Sequence, residues 1–180
     1  MRAALERLNS LPREVAEVEF LKCCGSTLWA RRMAQERPFH ELQQLLAQAD
    51  AEWWALDAED WLEAFSRHPK IGEREAAREQ ASAASSWSEQ EQAGAKSADE
   101  VTKQQLAAAN REYESKFGHI YIVCATGKTA DEMLSLCTER LSNDPDHELR
   151  VAAEEQRRIT HLRLRKLLEE DTGHRTQDSE

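Results

Sequence analysis

The stretch Phe65-Ser66-Arg67-His68-Pro69-Lys70-Ile71-Gly72-Glu73 ends an amphipathic segment and opens one that is poor in large apolar side chains. Proline disfavours the helical region for the residue before it, so we expect His68 just beyond a helix end, in an extended or turn conformation. Two interpretations are open at this point. The dipeptide either terminates a helix and does nothing more, or it presents a fixed imidazole to a functional site.

The composition is typical of a globular helical domain. The chain has 180 residues, of which 40% are hydrophobic and 32% are charged, and only six Gly and four Pro interrupt it. These proportions argue against a disordered chain and against the dense turns of an all-β domain. The formal net charge of -10 argues against nucleic acid as the main partner, because phosphate binding needs a basic face.

Neither metal binding nor membrane insertion is expected. Cys23, Cys24, Cys124 and Cys137 show no Cys-x-x-Cys or Cys/His spacing of a zinc site. The N-terminus lacks the apolar region of a signal peptide, and no apolar stretch is long enough to span a bilayer. The last residues are not a peroxisomal tripeptide either. We therefore expect a protein of the reduced cytoplasm that holds no metal ion.

Apolar periodicity and capping residues predict a series of helices. They are placed at about residues 11–24, 27–37, 41–53, 58–67, 99–116, 130–141 and 147–168. The capping signals include Ser26 before the second helix and a Thr129/Glu132 capping box before the sixth, while Gly118 closes the fifth. The apolar stripes predict that these helices bury Val15, Val18, Leu21, Trp53, Trp54, Trp61, Leu62 and Val101.

A further helix start with several polar groups is predicted near residue 88. Ser88 and Glu91 form a Ser-x-x-Glu capping box, which by itself is a structural device. Gln92 adds an amide at a helix N-terminus, where backbone N–H groups gather and anions can bind. The spacing alone leaves both interpretations open, a cap and a binding site.

One segment, residues 119–125, is predicted to be extended, because Ile120 to Cys124 are apolar and mostly β-branched between two glycines. A single extended segment cannot form a sheet, so its backbone groups need partners in neighbouring helices or in a ligand. The predicted fold is all-α: a single-domain bundle of about eight helices with this one extended segment. It would occupy residues 1–170, followed by a disordered tail at 171–180.

The last predicted helix carries a charged side chain on its apolar face. Arg163 follows Gln156 by seven positions and Ile159 by four, so its guanidinium points inward. It either reaches solvent from the edge of the core or holds an anionic ligand. A guanidinium together with the imidazole of His68 and the carboxylate of Glu91 suggests acid/base chemistry on a small anionic substrate.

A set of short motifs runs in a fixed order through roughly residues 8–168. The motifs are Arg37-Pro38-Phe39, Ala64-Phe65, His68-Pro69, Ile71-Gly72, Ser88-x-x-Glu91-Gln92-Ala93-Gly94, Asn110, Tyr113, Phe117-Gly118, Tyr121–Ala125, Arg140-Leu141, Glu148-Leu149, Ile159-Thr160 and Leu162-Arg163-Leu164. In this order they resemble the 2-oxo-4-hydroxy-4-carboxy-5-ureidoimidazoline (OHCU) decarboxylase family. That family converts OHCU to (S)-allantoin with release of CO2, the last step of urate oxidation to allantoin in purine catabolism.

The resemblance implies roles for individual residues. His68 matches the catalytic histidine, and Glu91 and Arg163 match residues thought to complete the catalytic set. A second register, Ser86 with Glu89, fits the Ser-x-x-Glu pattern too, but Ala93-Gly94 follows the Ser88 register as in the family. The implied substrate-binding positions are Pro69, Ser88, Glu89, Gln90, Glu91, Gln92, Tyr121, Ile122, Val123, Cys124 and Ala125.

The resemblance also implies a homodimer that acts on OHCU without a metal or organic cofactor. In OHCU the departing carboxylate is next to a ring C=N bond, which can take up the electron pair as CO2 leaves. The competing interpretation is a non-catalytic helical interaction module or an inactive family member. Retention of the whole polar set favours the enzyme, since decay would be expected to lose a member of His68, Ser88, Glu91, Gln92 and Arg163.

Overall fold

A computed structural model of the chain is built mainly from helices. The structure describes residues 1–70, 87, 90, 91 and 98–173. Among these residues there are eight helices with defined bounds and no strand, which confirms the all-α prediction. The helices are α1 (Arg2–Ser10), α2 (Arg13–Cys23), α3 (Thr27–Gln35), α4 (Leu42–Trp54), α5 (Ala58–Ser66), α6 (Glu100–Phe117), α7 (Ala130–Arg140) and α8 (Pro145–Gly173).

The chain divides into two compact units. The first comprises Met1–Trp61 together with the chain from Arg157 onward, and the second comprises Leu62–Gln156. The division of the sequence into one domain over residues 1–170 and a tail stays a prediction. Helix α8 itself continues to Gly173.

The core of the first unit is rich in aromatic side chains. Phe20 and Trp29 meet edge to face with their ring centroids 6.0 Å apart, and the Trp29 indole N–H donates to the Ala49 carbonyl at 3.0 Å. Trp53 and Trp61 lie 5.9 Å apart, and the Trp61 indole N–H donates to the Trp53 carbonyl at 3.0 Å. Aromatic pairs of this kind add about 0.5–1.5 kcal/mol each to the effect of burial. Because both indole N–H groups have acceptors, the rings are buried without losing hydrogen bonds.

The predicted core face of α2 is wrong. Ala16, Phe20 and Cys23 are fully buried, whereas Val15 and Val18 are 44% and 55% exposed. Apolar residues occupy most of the circumference of this helix, so their periodicity does not select one face. The packing of Phe20 against other aromatic rings decides the orientation instead.

Three further burial predictions are wrong. Trp53 and Trp61 are buried as predicted, but Trp54 and Leu62 are exposed, and Val101 is 65% exposed. Consecutive helical residues point about 100° apart, so Trp54 and Leu62 cannot share the inward direction of the tryptophans that precede them. Trp54 still packs against Trp61, with the ring planes nearly perpendicular and the ring centroids 5.7 Å apart.

Helix α1 has no counterpart among the predicted helices. With nine residues it is too short to form on helix propensity alone. Leu5 and Leu8 are buried, and the guanidinium of Arg37 donates to the carbonyls of Leu8 and Leu11 at 2.7 and 2.8 Å. Contacts with residues far along the chain therefore stabilise a helix that carries only a weak local signal.

In the second unit, the extended segment (residues 119–125) connects α6 to the turn before α7. Helix α6 ends at Gly118, whose φ of 75° is left-handed and whose N–H donates to the Glu114 carbonyl at 2.9 Å. Helix α7 begins with the predicted capping box, in which both the Thr129 and the Glu132 side-chain hydrogen bonds form. The core here consists of Leu106, Ala109, Tyr113, Tyr121, Val123, Ala125, Met133 and Cys137.

Replacing Gly118 by Ala is expected to lower the free energy of unfolding by about 1–2 kcal/mol, because L residues with a Cβ disfavour left-handed φ. A Cβ at this position would meet no atom within 4 Å, so the loss comes from the backbone alone. Gly118→Asn is the matched control and should lose less, since Asn tolerates this conformation. Urea unfolding measures the difference; an alanine variant as stable as the parent protein would contradict the prediction.

Two features are absent from residues 1–70, 87, 90, 91 and 98–173. No helix there is both long and apolar enough to cross a bilayer. No group of three or more His, Cys, Asp or Glu side chains is arranged there as ligands of a metal ion.

Candidate active site

His68 lies just beyond the end of α5, as the sequence predicts. The backbone N–H of His68 donates to the Phe65 carbonyl at 3.0 Å, and this bond turns the chain tightly after the last helical residue. The imidazole is half-buried. Its Nε2 atom lies 2.6 Å from Oε1 of Gln156 in α8. The ring is therefore held by a side chain 88 positions away in sequence.

The chain on both sides of His68 is anchored within the second unit. The Phe65 ring is buried and contacts the ring of His119, with centroids 5.3 Å apart. Half-buried Pro69 follows His68, and the Lys70 ammonium donates to the Glu114 carboxylate at 2.8 Å. A partly exposed ion pair of this kind contributes little to stability. Its effect here is to fix the position of the chain that carries the imidazole.

Side chains of the flanking helices and turn pair with three backbone groups of the extended segment. Nη1 of Arg140 donates to the Ile122 carbonyl at 2.9 Å. The Cys124 N–H donates to the Glu155 carboxylate, and Lys128 Nζ donates to the Cys124 carbonyl, each at 2.7 Å. Neighbouring helices and the following turn therefore supply several of the hydrogen-bond partners that the backbone of this segment needs.

Val123 lies between Ile122 and Cys124, and its own backbone groups are not paired in this way. Its side chain is buried in the core with Tyr121 and Ala125. Within the part of the chain that the structure describes, no group accepts from its N–H and none donates to its carbonyl. Backbone polar groups of buried residues are paired in the great majority of cases. At Val123, as at Tyr121, the N–H and the carbonyl of the extended segment lack a partner among the described residues.

Two residues of the predicted binding stretch at 88–92 can be placed. Glu91 is helical and buried, and Gln90 is helical and exposed. Burial raises the pKa of the Cys124 thiol, and the carboxylates of Glu155 and Glu91 act in the same direction. Glu91 is thus close enough to the extended segment to influence Cys124. The other residues that decide between the two registers lie outside the described residues: Ser86, Ser88, Glu89 and Gln92.

Arg163 is buried at 5% exposure, as the helical spacing predicts, and belongs to the first unit. Its guanidinium donates to the Lys22 carbonyl at 3.4 Å. Burial raises the pKa of the Cys23 thiol, and the charge of Arg163 opposes that effect. The interpretation in which this arginine reaches solvent from the core edge is wrong, because its side chain is almost fully covered.

Neighbouring residues of α8 connect two predicted site elements. Glu155 accepts from Cys124 of the extended segment, and Gln156 pairs with His68. Neither was assigned a role from sequence. The signal that could have identified Gln156 is the one that pointed to Arg163, a polar residue on the apolar stripe of α8.

A buried polar network supports the extended segment from α7 and α8. Glu148 is fully buried and accepts from Arg140 Nε and Nη2 at 2.8 and 2.5 Å and from Asn143 Nδ2 at 2.7 Å. The Tyr113 hydroxyl also donates to Glu148. Burial disfavours the charged guanidinium, but the hydrogen bond to Glu148 and the charge interactions with Glu148 and the two tyrosines together outweigh it, so the pKa of Arg140 lies above its usual value. The network holds one charge of each sign and gives both several partners.

Comparison with known proteins gives the chain its family. The family model described as OHCU decarboxylase matches residues 9–165. The chain belongs to the OHCU decarboxylase family. It is 40% identical over 155 residues to the uric acid degradation bifunctional protein TTL of Arabidopsis thaliana, covering 86% of this chain and 48% of that protein.

One further curated relative and one solved structure agree with this assignment. A 2-oxo-4-hydroxy-4-carboxy-5-ureidoimidazoline decarboxylase of Amia calva is 33% identical over 102 residues, covering 57% of this chain and 58% of that protein. The chain thus spans about half the length of the Arabidopsis and Amia proteins. A solved OHCU decarboxylase, crystallised in the presence of (S)-allantoin, superposes with a TM-score of 0.71 at 36% identity, covering 84% of this chain and 97% of that one. The helical fold is therefore that of the family.

Proposed function

We propose that this chain decarboxylates OHCU to (S)-allantoin. The observation that carries the proposal is the pair of contacts made by consecutive residues of α8: Gln156 holds the His68 imidazole, and Glu155 holds the extended segment at Cys124. One helix thereby holds both the acid/base group and the extended segment at Val123, where the N–H and carbonyl have no partner among the described residues. These are the two kinds of group that a flat, polar heterocycle requires.

The reaction needs few groups from the protein. When the C–C bond to the carboxylate breaks, CO2 leaves and the bonding electrons pass into the adjacent ring C=N bond. The ring nitrogen that receives these electrons takes up a proton. The substrate's hydroxyl loses its proton as the ring carbonyl of allantoin forms, and one proton is added on one face of the neighbouring carbon. The substrate supplies its own electron sink, so the protein contributes orientation, charge complementarity and that proton.

Each proposed role follows from family membership and is assigned to a matching position. His68 moves the proton, and Glu91, a buried carboxylate near the extended segment, completes the catalytic set. The peptide groups of Val123 read the ring or ureido amides. Arg163 and Gln92 bind the carboxylate and ring oxygens. The burial of the Arg163 guanidinium supports its role, because a buried cation favours an anionic partner.

The decisive experiment follows the chirality of the product. Purified protein is added to freshly generated OHCU, and circular dichroism records the formation of (S)-allantoin against the spontaneous decay of OHCU. An accelerated chiral signal supports the proposal. A trace identical to that of an unrelated protein at the same concentration would overturn it and favour a non-catalytic helical interaction module or an inactive family member.

Replacing Arg163 by Ala is expected to raise the apparent KM for OHCU by about tenfold to a hundredfold, since a charge-assisted contact is worth roughly 1.5–3 kcal/mol. Arg157→Ala is the matched control: it removes an arginine of the same helix that pairs with Asp50 at 3.1 Å. Initial rates over a range of OHCU concentrations separate KM from kcat. An unchanged rate at low substrate in folded Arg163→Ala would count against the binding role.

The proposal includes a homodimer in the cytoplasm that works without a metal or organic cofactor. All four cysteines are free thiols, which supports a reducing compartment. Light scattering after gel filtration tests the assembly, because the chain mass is 20.6 kDa and a dimer has twice that mass. A monomer would contradict the dimer alone and leave the reaction to be decided by the circular dichroism assay.

A further inference from the structure

The side chain of Gln156 is fully buried, at 0% exposure, and its Oε1 atom lies 2.6 Å from Nε2 of His68. An amide oxygen accepts hydrogen bonds and cannot donate them. The contact therefore requires a proton on Nε2 of the imidazole. In the neutral ring Nδ1 is then the unprotonated nitrogen, so the partner of one nitrogen determines the chemistry of the other.

The Gln156 end of this hydrogen bond is held in place within the second unit. Helix α8 is capped at its start, where the His147 N–H donates to Oδ1 of Asp144 at 3.0 Å. Glu148, Ala152 and Gln156 follow one another at steps of four and are all fully buried, so they lie on one inward face. Glu148 is tied to α7 through Arg140. The helix cannot rotate Gln156 away from His68 without breaking that network.

We propose that Gln156 is a positioning residue that keeps His68 in the Nε2–H tautomer and leaves Nδ1 to exchange the proton of the reaction. This inference deepens the proposed function and rests on it for the catalytic step. Gln156 acts through His68: its amide fixes the ring orientation and the tautomer. A residue of this kind resembles the groups that orient catalytic or metal-binding histidines elsewhere, whose removal costs about tenfold to a hundredfold in activity.

Two substitutions of Gln156 separate the effect of its hydrogen-bond acceptor from the effect of its side-chain volume. Gln156→Met keeps the length and volume of the side chain but removes the acceptor, so kcat should fall by about tenfold to a hundredfold with KM changed less than about twofold. Gln156→Glu keeps an oxygen acceptor at the same position and should recover part of the lost kcat. Ala152→Ser is the matched control, because it alters the same buried face one turn earlier without touching His68.

Nitrogen NMR of histidine-labelled protein reads the tautomer without any substrate. At alkaline pH, where the ring is neutral, His68 should show a protonated Nε2 and an unprotonated Nδ1; the spectrum of His68→Asn assigns its signals. Gln156→Met should lose the single tautomer and give averaged signals, whereas Gln156→Glu and Ala152→Ser should keep it. Thermal unfolding of each variant checks that the chain is folded.

Several outcomes would overturn the inference. A wild-type spectrum with the proton on Nδ1 does so directly, even if Gln156→Met fails to fold. A folded Gln156→Met with an unchanged tautomer and unchanged kcat does so as well. If the parent protein does not accelerate formation of (S)-allantoin, the proposed function fails, and the spectra still decide whether Gln156 sets the tautomer of His68.

Discussion

Replacing His68 by Asn is expected to remove most of the acceleration of OHCU decarboxylation, by about 10²–10⁴-fold, the usual contribution of one acid/base group. Asparagine keeps a polar side chain of smaller size, but its amide nitrogen lies at the δ position, so the contact of Nε2 with Gln156 is lost together with the imidazole. The amide cannot gain and lose a proton near neutral pH. The loss should therefore fall on kcat and on the chirality of the product, because spontaneous decay has no preferred face.

The matched control is His161→Asn. The Nε2 atom of His161 lies 2.6 Å from Asp50, so this variant also removes an imidazole held by a short hydrogen bond in the same helix as Gln156. Its rate should stay within about twofold of the parent rate. The measurement is the initial rate of the (S)-allantoin signal for each protein, with far-ultraviolet circular dichroism to confirm folding. A folded His68→Asn protein that still produces (S)-allantoin at the parent rate would end the catalytic role of this residue.

The second large effect concerns the buried network of the second unit. Replacing Arg140 by Met is expected to lower the free energy of unfolding by about 3–5 kcal/mol, because Glu148 would remain buried without its ion-pair partner. The Ile122 carbonyl would lose its donor at the same time. We therefore also expect faster hydrogen exchange in the extended segment and a lower rate of (S)-allantoin formation.

A double substitution tests whether the unpaired charge is the cause. Arg140→Met combined with Glu148→Leu removes both charges and should recover much of the stability lost by Arg140→Met alone, since apolar residues often replace a buried ion pair at little cost. Urea unfolding of the parent, the two single variants and the double variant completes the cycle. A loss below about 1 kcal/mol for Arg140→Met would show that Glu148 is not strongly coupled to this guanidinium.

Signals that act within one helical turn were predicted correctly. The Ser26 hydroxyl accepts from the Trp29 N–H at 3.2 Å at the start of α3, the Thr129 capping box opens α7, and Gly118 takes the left-handed conformation after α6. Each signal depends on residues three or four positions apart. Local geometry alone is enough to produce them, whatever packs against the helix.

Predictions that required knowing what a helix packs against were less reliable. Val15 and Val18 are exposed although they are apolar, and Trp54 is exposed beside buried Trp53. Helix α1 was not predicted, because its stability comes from the burial of Leu5 and from contacts with residues beyond its own turn. In each case several faces are compatible with the local pattern, and the most favourable burial over the whole unit selects one of them.

By itself the sequence determined the all-helical class, the end of α5 just before His68 and the inward direction of Arg163, since these follow from backbone sterics and helical periodicity. Only the tertiary structure decided that Glu155 pairs with Cys124 and that Gln156 pairs with His68, contacts that span 31 and 88 positions. The physical reason is that a buried polar group must find a hydrogen-bond partner, and the identity of that partner depends on which elements meet in space.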